Sequence, residues 1–225
     1  RRAHRDVLDQ FHSKKNHLIV EPLAAAVGLG LNIREPEGKM IIDIGGGITE
    51  IVIISLSGVA VFQSLKIAGD TFTTDIQDHF RRNHNLLIGW KTAEQIKIQV
   101  GSALPSIANP PAPMIVKGKD LKEGIPTTLE VAHSEVAFVL DQGIRSIEES
   151  IVHTLEICPP ELAADIYQNG IHLTGGSALL RGMKERLSKN IRLPIHLDDE
   201  PLLAVSKGIV QVLREPKKYQ AVLFD

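Results

Sequence analysis

The chain has 225 residues, 43% hydrophobic and 23% charged, so it is long enough to bury a core and has an ordinary globular composition. Its 25 Lys and Arg nearly balance 27 Asp and Glu, and the net charge of −2 excludes a general attraction to nucleic acid or to an anionic membrane. The single cysteine, Cys158, excludes an internal disulfide framework and is typical of a reducing cytosol. No apolar run approaches the ~20 residues of a membrane helix. Because the first residue is Arg1 and no signal-peptide pattern is present, we expect a piece of a longer protein.

The first forty residues predict a helix, a short strand and a second helix. Helical spacing of apolar residues covers 1–11, and 18–20 is a buried-strand candidate. Pro22 is suited to the first turn of a small-residue helix that continues through 23–27. A lone acid, Glu21, stands between this strand and helix. We expect Glu21 to be buried, and orienting a water molecule is one reason to bury an acid there.

A glycine turn between two apolar runs is the most informative stretch of the chain. Residues 40–42 lead into Asp43 and Gly45-Gly46-Gly47, and the apolar run 51–54 follows. Alternation and β-branching predict two strands rather than a strand and a helix. Backbone N–H groups of glycines can approach an anion closely, and a carboxylate at a strand end can hold a hydrated divalent cation. A phosphate-and-magnesium hairpin and a simple chain-reversing turn are equally compatible with these residues.

The remaining pattern predicts an α/β fold with an inserted α+β portion around residues 68–132. A third strand, 59–67, completes an antiparallel meander with the hairpin. The other predicted elements, in order, are a helix capped by Asp70 or Thr71 and ending near Asn83, a linker over 86–89, a helix over 93–100 capped by Thr92, a proline-rich loop over 105–113, a ribbon of 114–119 and 127–131, a long helix over 134–155, a short helix over 161–167, a strand over 171–173, a helix over 178–187, a strand over 193–197 and a helix over 202–213.

Two further groups of residues are candidate ligand contacts. Gly175, Gly176, Ser177 and Ala178 follow Thr174 between a predicted strand and a predicted helix, where free N–H groups suit a phosphate or a nucleotide. A plain turn between strand and helix fits them equally well.

Glu94 and Lys97 lie three residues apart on one predicted helix. They could bind a ribose diol, although a solvated ion pair is the commoner arrangement. The nine histidines are scattered, and no pair has the H-x-x-x-H spacing of a zinc site.

As a set, these motifs resemble the MreB family of bacterial actin-like rod-shape proteins, from about residue 18 to 213. The motifs that carry the resemblance, in order, are Glu21-Pro22-Leu23-Ala24-Ala25-Ala26, Asp43-Ile44-Gly45-Gly46-Gly47, Ile67-Ala68-Gly69-Asp70, Leu86-Leu87-Ile88-Gly89, Thr92-Ala93-Glu94-Gln95-Ile96-Lys97, Leu173-Thr174-Gly175-Gly176 and Leu179-Leu180-Arg181-Gly182.

The resemblance implies an actin-like ATPase (ribonuclease H-like) α/β fold that holds ATP and Mg²⁺ between two domains. It implies a remnant of the first domain over 1–32, the second-domain core over 33–66 and 133–200, an inserted small α+β subdomain over 67–132, and a C-terminal helix over 201–225 that returns towards the first domain.

The resemblance also assigns roles to the candidate residues. Asp43 resembles the residue that positions Mg²⁺ through water, and Glu21 the acid that orients the attacking water. Glu94 and Lys97 resemble the ribose-binding pair. The implied phosphate loop contains Gly45, Gly46, Gly47 and Thr49. The implied adenosine loop contains Gly175, Gly176, Ser177 and Ala178.

The chain departs from the family pattern at two points. The family usually has Thr where this chain has Ile48, so a hydroxyl that could place the lytic water is missing. The family's Asp-x-Gly-Thr first phosphate loop does not occur in this chain. We therefore expect weak nucleotide binding and little turnover.

By resemblance, the intact protein would be cytoplasmic and bacterial. It would form filaments on the inner face of the cytoplasmic membrane and act with cell-shape and cell-wall proteins, and no nucleic acid is implied. The alternatives are a kinase or chaperone-type ATPase of the same superfold, or a filament scaffold that does not depend on nucleotide.

Overall fold

A computed structural model describes residues 16–224, so the helix predicted over 1–11 lies outside the described residues. The strands are β1 Leu18–Ile19, β2 Lys39–Ile44, β3 Thr49–Ser55, β4 Gly58–Leu65, β5 Leu86–Leu87, β6 Met114–Asp120, β7 Pro126–Val131, β8 Ile171–Thr174, β9 Ile195–Leu197 and β10 Leu223–Phe224. The α-helices are α1 Glu21–Gly28, α2 Gly69–Asn83, α3 Trp90–Val100, α4 His133–Glu156, α5 Pro160–Asn169, α6 Met183–Ile191 and α7 Ala204–Arg214. Short 3₁₀ turns cover Gly176–Leu179, Pro201–Leu203 and Gln220–Val222.

A five-stranded sheet in the order β4-β3-β2-β8-β9 forms the centre of the molecule. The β2, β3 and β4 strands pair antiparallel, which confirms the predicted meander and the two strands around the glycine turn. The β8 strand lies parallel to β2, with Asp43 opposite Thr174. The carboxyl ends of these two strands therefore lie side by side, and both glycine loops leave the sheet at the same edge.

Apolar clusters cover both faces of this sheet. Met40, Ile42 and Ile44 belong to the larger cluster, which also contains the buried stripe of α4. Ile41 belongs to a second cluster that includes residues of α1 and α7. Since successive residues of a strand point to opposite faces, burial of both faces explains why β2 and β3 have continuous apolar runs.

Helices α1 and α7 pack backbone to backbone over the second cluster. A Cβ atom built on Gly28 would lie 1.8 Å from the Ala204 carbonyl oxygen, and one built on Gly208 would lie 1.8 Å from the Ala24 carbonyl oxygen. Only glycine permits this approach. The β1 and β10 strands pair antiparallel beside the two helices, so the first and last described segments are in contact.

A second, three-stranded antiparallel sheet has the order β5-β6-β7. The predicted ribbon is thus confirmed, but the linker predicted over 86–89 is wrong because Leu86 and Leu87 pair with β6. A two-residue strand has no periodicity to read, and its partner lies more than 30 residues away in sequence. The proposed domain boundaries stay a prediction.

Several predicted helix ends also differ from the structure. The helix predicted over 178–187 is instead a 3₁₀ turn followed by α6, because Leu180 is extended and Gly182 adopts a left-handed φ of +74°. Helix α3 begins at Trp90 rather than after a Thr92 cap, with Gly89 in the N-cap position. Ala68, not Asp70 or Thr71, precedes the first residue of α2. No helix in the range 16–224 combines the length and the apolar character needed to cross a membrane.

Candidate functional site

A cleft of about 650 Å³ lies where the carboxyl ends of β2 and β8 meet α1, α2, α3 and the last 3₁₀ turn before α7. It brings together candidate residues from four separate stretches of sequence. The predicted residues that line it are Glu21, Asp43, Gly45, Gly46, Glu94, Lys97, Gly175, Gly176 and Ser177.

The glycine turn presents backbone N–H groups to solvent, while the carbonyl groups of Gly45 and Gly46 accept hydrogen bonds from the protein. The Gly45 N–H donates to the Ile48 carbonyl at 3.0 Å and closes the turn. The Gly46 carbonyl accepts a 2.7 Å hydrogen bond from the Asp70 N–H. Within residues 16–224 the N–H groups of Gly46 and Gly47 donate no hydrogen bond, and both residues are exposed. Free N–H groups beside occupied carbonyls suit an anion.

Gly69 and Ser177 fix the turn against the rest of the cleft. The Gly45 carbonyl accepts hydrogen bonds from the Gly69 N–H at 3.1 Å and from the Ser177 hydroxyl at 2.9 Å. A Cβ atom on Gly69 would lie 2.9 Å from Ser177 Oγ and 3.2 Å from Lys97 Nζ. Gly69 is therefore a position where three parts of the site meet, and the Ser177 hydroxyl ties the two glycine loops together.

Two carboxylates, Glu21 and Asp43, face the cleft without a cationic partner within residues 16–224. Burial and the neighbouring Glu21 raise the pKa of Asp43 to about 6. Burial, Glu21 and Asp43 likewise raise the pKa of Glu50. Among the described residues, no Lys or Arg forms an ion pair with Asp43 or Glu21. Such a cluster of oxygen donors fits a hydrated divalent cation, which would relieve the repulsion.

The expectation that Glu21 is buried is wrong. Glu21 is the first residue of α1 and is exposed, because this end of the helix borders the open cleft. The following residues of α1 are buried instead.

Gly175 fits only as a glycine. Its φ is +89°, and a Cβ atom there would lie 2.3 Å from Asp43 Oδ1 and 2.5 Å from the Ile44 carbonyl oxygen. The second glycine loop can thus pass directly over the end of β2, which brings it next to the Asp43 carboxylate.

Lys97 and Glu94 form an ion pair inside a larger hydrogen-bond network. Lys97 Nζ contacts Glu94 Oε2 at 2.7 Å and donates to the Gly69 carbonyl at 2.8 Å and to Thr73 Oγ1 at 3.0 Å. Burial acts to raise the pKa of Glu94, but hydrogen bonds from Lys97 and Thr73 hold that pKa below its usual range. A carboxylate held in this way can accept a hydrogen bond from one sugar hydroxyl, and the ammonium can donate one to another.

Thr73 and an apolar rim were missed by the sequence reasoning. Thr73 is fully buried on α2 and contacts both Glu94 and the Gly69 carbonyl. Ile98, Leu179 and Leu202 line the cleft yet remain 63%, 52% and 67% exposed. No local pattern marks these residues, because they come together only through the fold. Exposed aliphatic side chains around a polar cleft suit the faces of a planar ring.

Three predicted residues do not line the cleft. Gly47 lies exposed at the tip of the turn. Thr49 is fully buried, and its hydroxyl donates to the Ile67 carbonyl at 2.6 Å. Ala178 is packed in the larger apolar cluster.

A model of the MreB/Mbl protein family matches residues 1–221. The chain belongs to this family. It is 40% identical over 208 residues to the cell shape-determining protein MreB of Escherichia coli K12, covering 92% of this chain and 59% of that protein. It is 36% identical over 207 residues to the cell shape-determining protein Mbl of Bacillus subtilis, covering 92% of this chain and 62% of that protein. This MreB/Mbl chain thus spans about three fifths of the length of these relatives.

Solved structures confirm the predicted actin-like α/β fold. Spiroplasma citri MreB5 bound to ADP has a TM-score of 0.92 and 34% identity, and covers 96% of this MreB/Mbl chain and 65% of that one. The same protein bound to AMPPNP has a TM-score of 0.84 and 37% identity, with 88% and 59% coverage. A MamK double helical filament, at a TM-score of 0.69 and 22% identity, shares the fold.

Proposed function

We propose that this chain forms one wall of an ATP–Mg²⁺ cleft in a filament-forming, MreB-type bacterial cytoskeletal protein. The observation that carries the proposal is the meeting of both glycine loops, Asp43 and the Glu94–Lys97 pair around one cleft. Similarity to MreB5 structures bound to AMPPNP and to ADP supports a nucleotide as the ligand.

In this proposal different residues bind different parts of the nucleotide. The free N–H groups of Gly46 and Gly47 bind phosphate oxygens, and Glu94 and Lys97 bind the ribose hydroxyls. The loop from Gly175, together with the exposed aliphatic rim, takes the adenosine. Gly69, Thr73 and Glu94 already hold the Lys97 ammonium in place, so little side-chain entropy is lost when a sugar binds. Because these three contacts occupy all three N–H donors, a ribose hydroxyl that accepts from Lys97 replaces one of them.

The two acids would serve the phosphate end of the cleft. Asp43 would hold a hydrated Mg²⁺ ion, which would supply charge that neutralises the phosphates. Glu21 accepts a hydrogen bond from the attacking water and so orients it. Ile48, which is 43% exposed at the tip of the turn, provides no hydroxyl to share this task. We therefore propose little turnover. We also propose weak nucleotide binding, because this chain supplies only one wall of the cleft and spans about three fifths of the length of its relatives.

Titration calorimetry of the whole chain with ATP, with and without Mg²⁺, tests nucleotide binding. We expect weak binding that requires Mg²⁺ and is lost in Lys97→Met. Lys91→Met is the matched control, since Lys91 is an exposed lysine on the same helix and does not line the cleft. Equal binding by Lys97→Met and the parent chain would contradict the proposed site. Micromolar affinity with steady phosphate release would contradict the expectation of low turnover.

We also propose head-to-tail self-association of the intact protein on the inner face of the cytoplasmic membrane, where it would organise cell-wall synthesis. Relatives described as cell shape-determining proteins support this role. Pelleting and electron microscopy with and without ATP separate it from a scaffold that does not use nucleotide. Filaments that form equally well without ATP would favour the scaffold.

A further inference from the structure

Two histidines and a glutamate meet at the junction of α2 and α4, apart from the nucleotide cleft. His79 lies in the last turns of α2, His84 is its C-cap residue, and Glu135 lies in the first turn of α4. Glu135 Oε1 lies 2.7 Å from His79 Nε2 and contacts His84 Nε2 as well. One ligand atom from each residue lies within 4.8 Å of the other two.

The donor set is one that zinc uses. Two imidazole nitrogens and one carboxylate oxygen fill three positions of a tetrahedral Zn²⁺ site and leave the fourth for water. Imidazole ligands favour Zn²⁺ and its neighbours over Mg²⁺ and Ca²⁺. The His84 and Glu135 side chains are 30% and 28% exposed, so an ion and a water molecule can reach them.

The present spacing is slightly too tight for a bound ion and needs only a small movement. Tetrahedral bonds of ~2.0–2.1 Å place ligand atoms ~3.3 Å apart, so the Glu135 oxygen would withdraw from the two nitrogens by less than ~1 Å. Glu135 has the mobility for this movement because its side chain is partly exposed and its Oε2 atom makes no hydrogen bond within residues 16–224.

A neighbouring amide can select the imidazole tautomer that a metal requires. Asn83 Nδ2 lies 2.9 Å from His79 Nδ1, where it donates while His79 Nε2–H donates to Glu135. Rotating the Asn83 amide by half a turn presents its oxygen, which accepts from Nδ1–H and frees the Nε2 lone pair for a metal. Partners of this kind orient most metal-binding histidines.

Local charges leave the carboxylate available. Burial acts to raise the pKa of Glu135, but hydrogen bonds from His79 and His84 lower it below its usual range. Arg81 and Arg82 lie between the two histidines in sequence, but both form ion pairs with Asp78, at 3.0 and 3.3 Å, rather than with Glu135.

We propose that His79, His84 and Glu135 bind one divalent transition-metal ion of the zinc class, which clips the C-terminal end of α2 to the N-terminal end of α4. The ligands are separated by 51 and 56 residues in the chain, so the unfolded chain does not present them together. Binding to the folded form alone raises its stability.

Calorimetric titration of the chelator-treated, nucleotide-free chain with ZnCl₂ tests the site, together with thermal unfolding at each Zn²⁺ concentration. We expect one Zn²⁺ equivalent that is lost in His84→Gln and in Glu135→Gln, and that excess Mg²⁺ does not displace. Zn²⁺ at 100 times its dissociation constant should raise the unfolding temperature by about 5–10 °C, and this rise should disappear in both variants.

His153→Gln is the matched control. His153 is an exposed histidine on α4, and its Nδ1 atom lies 3.6 Å from Glu156 Oε2. It therefore also pairs with a glutamate, but within residues 16–224 it belongs to no cluster of three metal-binding side chains. It should retain the full Zn²⁺ response. His196→Gln is a second control, because the rings of His172 and His196 lie 5.3 Å apart and are the rival histidine pair for the single Zn²⁺ equivalent. This variant should also retain the full Zn²⁺ response, and loss of the response in it would contradict the proposed site.

Equal Zn²⁺ binding and equal thermal shifts in the parent chain and His84→Gln would overturn the proposal and leave a hydrogen-bonded cluster only. If circular dichroism shows that His84→Gln is unfolded, imidazole ¹⁵N spectra of the parent chain decide. Zn²⁺ should then move the Nε2 resonances of His79 and His84 together at one equivalent. Resonances that stay unchanged would refute the site.

Discussion

Replacing Asp43 by Asn should stabilise the nucleotide-free chain and weaken Mg²⁺-dependent nucleotide binding. The two effects have one cause, because the Asp43 carboxylate is partly buried and lies near Glu21, without a cation among the described residues. Removing the charge removes first the cost of burying it and second the repulsion from Glu21, and it also removes the oxygen that would hold hydrated Mg²⁺.

The magnitude follows from the pKa of Asp43, which rises from 3.8 to about 6 on folding. At ~1.36 kcal/mol per pH unit this corresponds to about 3 kcal/mol above pH 6. Screening by water in the open cleft reduces the expected gain in the free energy of unfolding to roughly 1–2 kcal/mol. Between pH 3.8 and 6 the folded chain binds more protons at Asp43 than the unfolded chain does, so stability falls as the pH rises through this window.

Urea unfolding at pH 7.5 and pH 5, without nucleotide or divalent cations, measures the effect. The advantage of Asp43→Asn should be largest at pH 7.5 and fall to about half at pH 5. Asp199→Asn, which removes an exposed carboxylate outside the cleft, should change stability by less than about 0.5 kcal/mol at both pH values. A destabilised Asp43→Asn at pH 7.5, or a gain independent of pH, would refute the reasoning.

Two further substitutions test the backbone and the acid response. Gly175→Ala should lower the free energy of unfolding by about 3 kcal/mol or more, because the new Cβ would meet Asp43 Oδ1 at 2.3 Å and φ is +89°. Burial, His196 and Lys39 lower the pKa of His172 to about 4, so the unfolded chain binds a proton that the folded chain does not, and stability is lost as the pH falls from 6.5 towards 4. In His172→Gln the loss between pH 7 and pH 5 should be smaller by about 1 kcal/mol after screening by solvent.

Urea unfolding measures both changes against matched controls. Gly124→Ala also has a left-handed φ, +76°, but its new Cβ meets nothing within 4 Å, so it should cost only about 1 kcal/mol. Similar costs for the two alanine variants would show that crowding over Asp43 is unimportant. His153 is exposed, so His153→Gln should lose as much stability between pH 7 and pH 5 as the parent chain does. If His172→Gln also loses as much stability as the parent chain, His172 is not the cause of the loss.

Local patterns were sufficient wherever one element carries its own signal. Apolar, β-branched runs on both sides of Gly45-Gly46-Gly47 predicted β2 and β3, and the apolar stripe of α4 predicted a buried helix. The set of motifs also predicted the family and its fold, because their order along the chain is itself specific. Each of these signals depends only on residues close together in sequence, so it can be recognised without knowledge of any tertiary contact.

Contacts between distant residues decided the rest. The Ser177 hydroxyl reaches a carbonyl 132 positions earlier in the chain, Thr73 joins the Glu94–Lys97 pair from another helix, and β5 exists only because β6 lies beside it. The two histidines near the end of α2 are five residues apart, a spacing that predicts nothing until Glu135 packs against them. Sequence determined the elements and their motifs, whereas the cleft and the histidine–glutamate cluster arose from packing, because side chains far apart in sequence converge only when the core forms.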